Sequence, residues 1–283
     1  MENANQVLNF TLKAINSVLN NGDHSNGGLN KGDDDLHAKS LEHRGDMMSK
    51  WYALKLADPE RITTPELVIH LTGNVFAGSD TTAIAIRSVL YHLLKYPDKM
   101  AKVMDELNKA AAEGELSSPV SFKDSTNHLP YLRAAIKEGM RIHPSVGLLL
   151  ERHVPEGGAV ICGKHIPADT IVGINSWVVH HDAEIFPDPE SFLPERWLEA
   201  SPDEFKRMEQ SIFTFGAGPR TCIGKHIALM EISKVVPELL KNFEITLADP
   251  GREWTTQNNW FVQQKGLVCR LKRRDHNQGA CCS

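Results

Sequence analysis

At 283 residues the chain is long enough to bury a large core as one domain or two. Its 31 Lys and Arg stand against 36 Asp and Glu, a formal charge of −5 that lacks the basic excess needed to track a phosphate backbone, so no nucleic acid partner is expected. No stretch approaches the roughly 18 apolar residues of a membrane span, the opening Met1-Glu-Asn-Ala-Asn-Gln has no basic, apolar leader, and Cys162, Cys222, Cys269, Cys281 and Cys282 lack paired CxxC spacing. A membrane segment, a disulfide framework and a structural zinc site are therefore not expected, and the terminal Ala-Cys-Cys-Ser is not a prenylation box.

Val7, Leu8, Leu12, Ile15, Val18 and Leu19 fall at helical spacing and predict a helix over 1–20. The sequon Asn9-Phe-Thr11 inside it has no leader and is expected to stay unmodified. Residues 21–46 are rich in Gly, Asn and Asp, with too few apolar groups to pack. Their run Asp33-Asp34-Asp35 lacks the Gly and terminal Glu of an EF-hand and reads as a solvated loop.

The longest predicted helix opens near Thr64-Pro65-Glu66, where Thr can cap, Pro suits the first turn and Glu favours the positive helix end. It runs to about Lys95, before Pro97, and its apolar stretch from Leu67 to Ala77 predicts burial on nearly all sides. Helices are predicted at 98–113 and at 130–143, the latter stopped by Pro144. Val160-Ile161-Cys162, a Gly163-Lys164 turn and Ile171-Val172-Gly173-Ile174 predict a hairpin. His180 and His181 read as loop residues, since neighbouring histidines do not present both rings to one ion. Helical spacing returns from Ile223 to about Lys241, and the last forty residues alternate like short strands before a polar tail.

Four constellations carry chemistry. Phe215-Gly-Ala-Gly218-Pro-Arg220-Thr-Cys222-Ile-Gly224 fits F-x-x-G-x-R-x-C-x-G at every specified position, which chance supplies roughly once in millions of windows. Ala77-Gly78-Ser79-Asp80-Thr81-Thr82 sets an acid and two hydroxyls in an apolar helix, where they are poor helix formers. Glu138-Gly-Met-Arg141 puts opposite charges three apart on one helical face. Pro194-Glu195-Arg196-Trp197 adds a further arginine.

In these motifs, and in their order, residues from about 60 to 272 resemble the C-terminal portion of a cytochrome P450, similar in loop style to fungal members that modify secondary metabolites. That resemblance implies a mainly α fold with a small β region and divides the chain into a helix plus polar loop (1–60), a haem-binding region (61–272) and a polar tail (273–283). It implies haem b with Cys222 as thiolate ligand to iron, the sulfur pushing electron density onto the metal and standing just ahead of a helix N-terminus that favours its charge. Gly218 and Gly224 would let backbone approach the macrocycle, Phe215 would shield the sulfur, and Arg220 would pair with a propionate. Arg152, in Glu151-Arg152-His153, would reach a second propionate. Asp80 and Thr81 would deliver protons, and Gly78 would leave room for dioxygen. Glu138, Arg141 and Arg196 would hold the cysteine loop, a structural role in which losing one charge strands the others.

The implied activity is a dioxygen-dependent monooxygenase fed by NADPH-cytochrome P450 reductase, with Lys225 on the docking face. Val146-Gly-Leu-Leu-Leu150 would line a pocket for an apolar small molecule, or pack in the core. Two alternatives remain: an isomerase or dehydratase of the same fold, and a truncated, non-catalytic remnant. Full-length eukaryotic members carry a membrane anchor for the endoplasmic reticulum, and about two hundred further residues, ahead of the long helix; neither is expected in this chain.

Overall fold

The long helix predicted from the sequence dominates the computed structural model, which describes residues 6–13 and 45–274. The chain divides into two compact units, residues 1–79 and 80–283. In the first, residues 6–13 are helical; the rest of the predicted 1–20 helix and almost all of the polar segment lie outside the described residues. Helix α1 (Met47–Ala57) starts where Asp46 accepts the Ser49 N–H at 2.8 Å. Helix α2 (Thr64–Lys95) begins with a reciprocal cap one residue ahead of the expected Thr: Thr63 Oγ1 accepts the Glu66 N–H at 3.4 Å, and Glu66 accepts the Thr63 N–H at 2.7 Å. Within this unit Trp51 stacks on His70, centroids 4.7 Å apart.

One expectation fails in this helix. Of the stretch Leu67–Ala77 only Leu67 is buried, while Ile69 is 66% and Phe76 47% exposed. Apolar periodicity states that a surface seeks burial; it does not supply the surface that buries it, and the described residues do not cover this one.

The second unit holds the core. The C-terminal part of α2 packs with α3 (Pro97–Ala112), α4 (Phe122–His128), α5 (Pro130–Ile142) and α9 (Lys225–Asn242). Four of the five contribute a stripe at helical spacing to the apolar core: Val89 and Leu93 from α2; Val103, Leu107 and Ala110 from α3; Leu132, Ala135 and Ile136 from α5; Ile232, Val236 and Leu240 from α9. Burying each Leu, Ile or Val of this kind contributes about 1.5–3 kcal/mol. Gly139 lets α5 lie directly on α2: a Cβ there would stand 2.7 Å from Val89 Cγ2 and 3.1 Å from its Cα.

Among the described residues the strands pair in four two-stranded antiparallel sheets. Strands β2 (Ala159–Ile161) and β3 (Lys164–Ile166) form the expected hairpin, with Cys162 and Gly163 at its turn, both at positive φ. Strand β4 (Ile171–Asn175) is not part of it. It pairs with β1 (Leu149–His153), Glu151 opposite Gly173. Local turn signals do not report a partner twenty residues away. Next come α6 (Ser176–His180), α7 (Arg196–Glu199) and α8 (Pro202–Gln210). Contrary to the loop reading, His180 ends a helix and is fully buried. After α9, β5 (Phe243–Leu247) pairs with β8 (Cys269–Arg273), and β6 (Thr255–Asn259) with β7 (Phe261–Lys265). The architecture is mainly α with a small β component, as expected. Among the described residues no helix is long and apolar enough to cross a membrane.

Candidate functional site

Glu138 projects from α5 with no exposed surface. Such a carboxylate survives burial only when each oxygen is paired. Oε1 accepts from Arg141 Nη2 at 2.8 Å, Arg196 Nε at 3.0 Å and the Leu193 N–H at 3.1 Å; Oε2 accepts from Arg141 Nε at 3.0 Å and Trp197 Nε1 at 2.8 Å. Arg141, also fully buried, spends its remaining donors on the carbonyls of His180 at 2.7 Å and Pro189 at 2.8 Å. The three residues expected to form one network do so, with Trp197 as a fourth member that the sequence reading passed over. The one local clue was its place beside an arginine already singled out; that its indole N–H, which can only donate, needs a buried acceptor follows from the fold.

The network borders the segment leading to Cys222. Phe215 is half-buried against the helical core, and its carbonyl accepts the Cys222 N–H at 2.8 Å, closing the loop. Gly216 and Gly218 turn the chain at φ +69° and +66°, conformations that cost a side-chain-bearing residue about 1–2 kcal/mol. The short turn Gly218–Arg220 follows, held by the Thr221 N–H and hydroxyl, both donating to the Gly218 carbonyl at 3.0 and 2.8 Å. Gly224 caps α9, whose first turn has no acidic residue and no side-chain cap, so its positive end remains available to an anion such as the sulfur just before it. A Cβ on Gly224 would lie 3.8 Å from Cys222 Sγ.

Cys222 is exposed, and so are Arg220 and Lys225; the Lys225 ammonium lies 5.9 Å from the centre of the Phe215 ring. Arg152 is brought to the same loop: from β1, its Nη2 donates to the Ala217 carbonyl at 3.3 Å. Asp80 and Thr81 are half-buried on α2, where the Ser145 hydroxyl donates to the Thr81 carbonyl at 2.9 Å. Ser145 opens the segment expected to line a pocket. In that segment Leu148 and Leu149 are exposed, while Gly147 is pressed against β6 and β7, its notional Cβ 2.5 Å from Val262 Cγ2.

A haem suits these residues better than a bare metal ion does. Among the described residues no three His, Cys, Asp or Glu side chains gather to hold an ion, whereas a macrocycle brings its own four nitrogens and asks the protein for an axial ligand. The loop offers one exposed sulfur between left-handed glycines and a helix N-terminus, with two arginines, Arg220 and Arg152, at the loop. Ile223, Ile227 and Met230, at 96, 45 and 40% exposure, supply apolar surface after the cysteine. A helical scaffold with one exposed cysteine in such a loop suits a thiolate-ligated haem.

The comparisons agree. The family model described as cytochrome P450 matches residues 2–272. Over 231 residues the chain is 43% identical to the cytochrome P450 monooxygenase cicH of Emericella nidulans, covering 81% of this chain and 46% of that protein. It is 39% identical over 236 residues to the cytochrome P450 monooxygenase ACRTS1 of Alternaria alternata, covering 83% of this chain and 62% of that one. The crystal structure of a cytochrome P450 superposes with a TM-score of 0.69 at 25% identity, covering 86% of this chain and 55% of that chain. The chain belongs to the cytochrome P450 family, and it spans about half the length of these relatives.

Proposed function

We propose that this chain is the haem-holding portion of a monooxygenase that oxidises an apolar small organic molecule, in secondary-metabolite biosynthesis. The observation that carries the reading is the exposed Cys222, closed into its loop by the Phe215 carbonyl and backed by the buried Glu138 network. The fungal relatives named as monooxygenases support the class of reaction.

Cys222 would hold haem b through its thiolate, and Arg220 and Arg152 would pair with its propionates. Leaving the Ala217 carbonyl for a carboxylate exchanges a neutral acceptor for a charged one, which favours the move. Haem with a thiolate ligand supplies an electron-rich iron that binds dioxygen and favours O–O cleavage. The Asp80 carboxylate would relay a proton, and the Thr81 hydroxyl, at the next position on the helix, would hand it on. Leu148 and Leu149 present apolar surface to the substrate, and NADPH-cytochrome P450 reductase would donate electrons on the face bearing Arg220 and Lys225.

The test supplies haem-loaded chain with the reductase, NADPH and dioxygen and measures hydrogen peroxide released per NADPH consumed. Thr81→Ala and Asp80→Asn are expected to raise that ratio, and to slow any substrate oxidation by on the order of 100-fold, the scale of a lost proton donor. Ratios equal to the parent chain's would remove both residues from proton delivery.

A further inference from the structure

We propose that His180 is a positioning residue: its imidazole carries the fixed geometry of the Glu138–Arg141 network into the backbone of the cysteine loop. This rests on the haem-thiolate reading and deepens it.

The two ring nitrogens have unlike partners. Nδ1 lies 3.1 Å from the Arg141 carbonyl, which can only accept, and Nε2 lies 2.8 Å from the Phe213 N–H, which can only donate. The partners therefore set one neutral tautomer, with the proton on Nδ1. Full burial enforces neutrality, holding the imidazole well below its ordinary range. His180 is grasped a second time through its own carbonyl, which accepts from Arg141 Nη1 at 2.7 Å. Both ends of the residue are thus tied to Arg141, and only the ring reaches forward.

What it reaches is the start of the loop. The Phe213 carbonyl accepts the Gly216 N–H at 2.9 Å, and the Phe215 carbonyl accepts the Cys222 N–H at 2.8 Å. A continuous path of hydrogen bonds and short backbone runs from Glu138 through Arg141, His180 and Phe213 to the cysteine. The Phe213–Phe215 segment makes two other polar contacts with this scaffold, from the Ser176 hydroxyl to the Phe213 carbonyl at 3.3 Å and from the Thr214 hydroxyl to the Met140 carbonyl at 3.5 Å. Both are long. The imidazole contact is the shortest of the three.

Two substitutions separate the two ring contacts. In His180→Asn the amide nitrogen takes the place of Nδ1 and keeps the bond to Arg141, but nothing reaches Phe213. In His180→Gln the amide oxygen reaches the place of Nε2 and accepts from Phe213. Amide hydrogen exchange on the haem-free chain should show Phe213 protected in the parent and the Gln variant, and exchanging about tenfold faster or more in the Asn variant, the consequence of one lost bond. The haem-loaded Asn variant should lose much of its thiolate-type carbon monoxide band, and the Gln variant should keep it. Two results overturn the proposal: an unprotected Phe213 amide in the parent chain, which needs no variant to fold, or indistinguishable Asn and Gln variants. A parent chain without the thiolate-type band overturns the haem-thiolate reading instead, and the exchange data then still decide whether His180 holds the loop.

Discussion

Glu138 and Ile223 reverse the usual places of charge and oil. The carboxylate has no exposed surface and accepts five hydrogen bonds, whereas the isoleucine beside the cysteine is 96% exposed. The difference separates two tasks. Behind the cysteine loop every buried charge has its partner, so the chain itself supplies the rigid support of the site. In front of the loop, apolar side chains stand in water, which is tolerable where a flat apolar group is to be received and costly otherwise.

The sharpest way to break that contrast is to remove the hub. Glu138→Ala strands two guanidinium groups in the interior and is expected to cost about 3–5 kcal/mol, enough to unfold a chain of ordinary stability. Urea unfolding checks it, and a loss under 1 kcal/mol would show the network to be dispensable.

A smaller effect comes from pH. Burial lowers His180 and His92 from the ordinary imidazole value of 6.5 to about 4, and it lowers His143 as well. Between pH 6.5 and 4 the unfolded chain takes up protons that the folded chain refuses, so stability is complete above 6.5 and falls as pH drops toward 4. His180 and His92 each contribute about 3 kcal/mol, lost at the low end of this range. Urea midpoints measured at intervals across this range should fall steadily with pH, and a flat profile would contradict the neutral, buried imidazoles.

The smallest effect belongs to the bare face. Ile223→Ala should change the stability of the haem-free chain by no more than about 0.5 kcal/mol, against about 2–5 kcal/mol for Leu132→Ala in the core. Comparable costs at the two positions would mean that Ile223 is packed.

What was legible in the sequence follows the same division. The cysteine loop, the Glu138–Arg141 pair and the long helix were readable because each is set by fixed spacings within a few turns of chain. Trp197 and His180 were not, although both touch that network, because their roles come from what lies fifty-nine and thirty-three residues away. The β1–β4 pairing escaped for the same reason, its strands being joined by a hairpin that drew the local signals to itself. Periodicity along α2 marked Ile69 and Phe76 as surfaces seeking cover; their exposure depends on neighbours, which no local pattern encodes.

The most direct test of a haem-thiolate site is the reduced-minus-oxidised difference spectrum under carbon monoxide, recorded on the haem-reconstituted chain and on Cys222→Ala. A red-shifted Soret band of the thiolate type, present in the parent and lost in the variant, is the predicted result. Failure of the parent to take up haem, or a band that persists without Cys222, would contradict it.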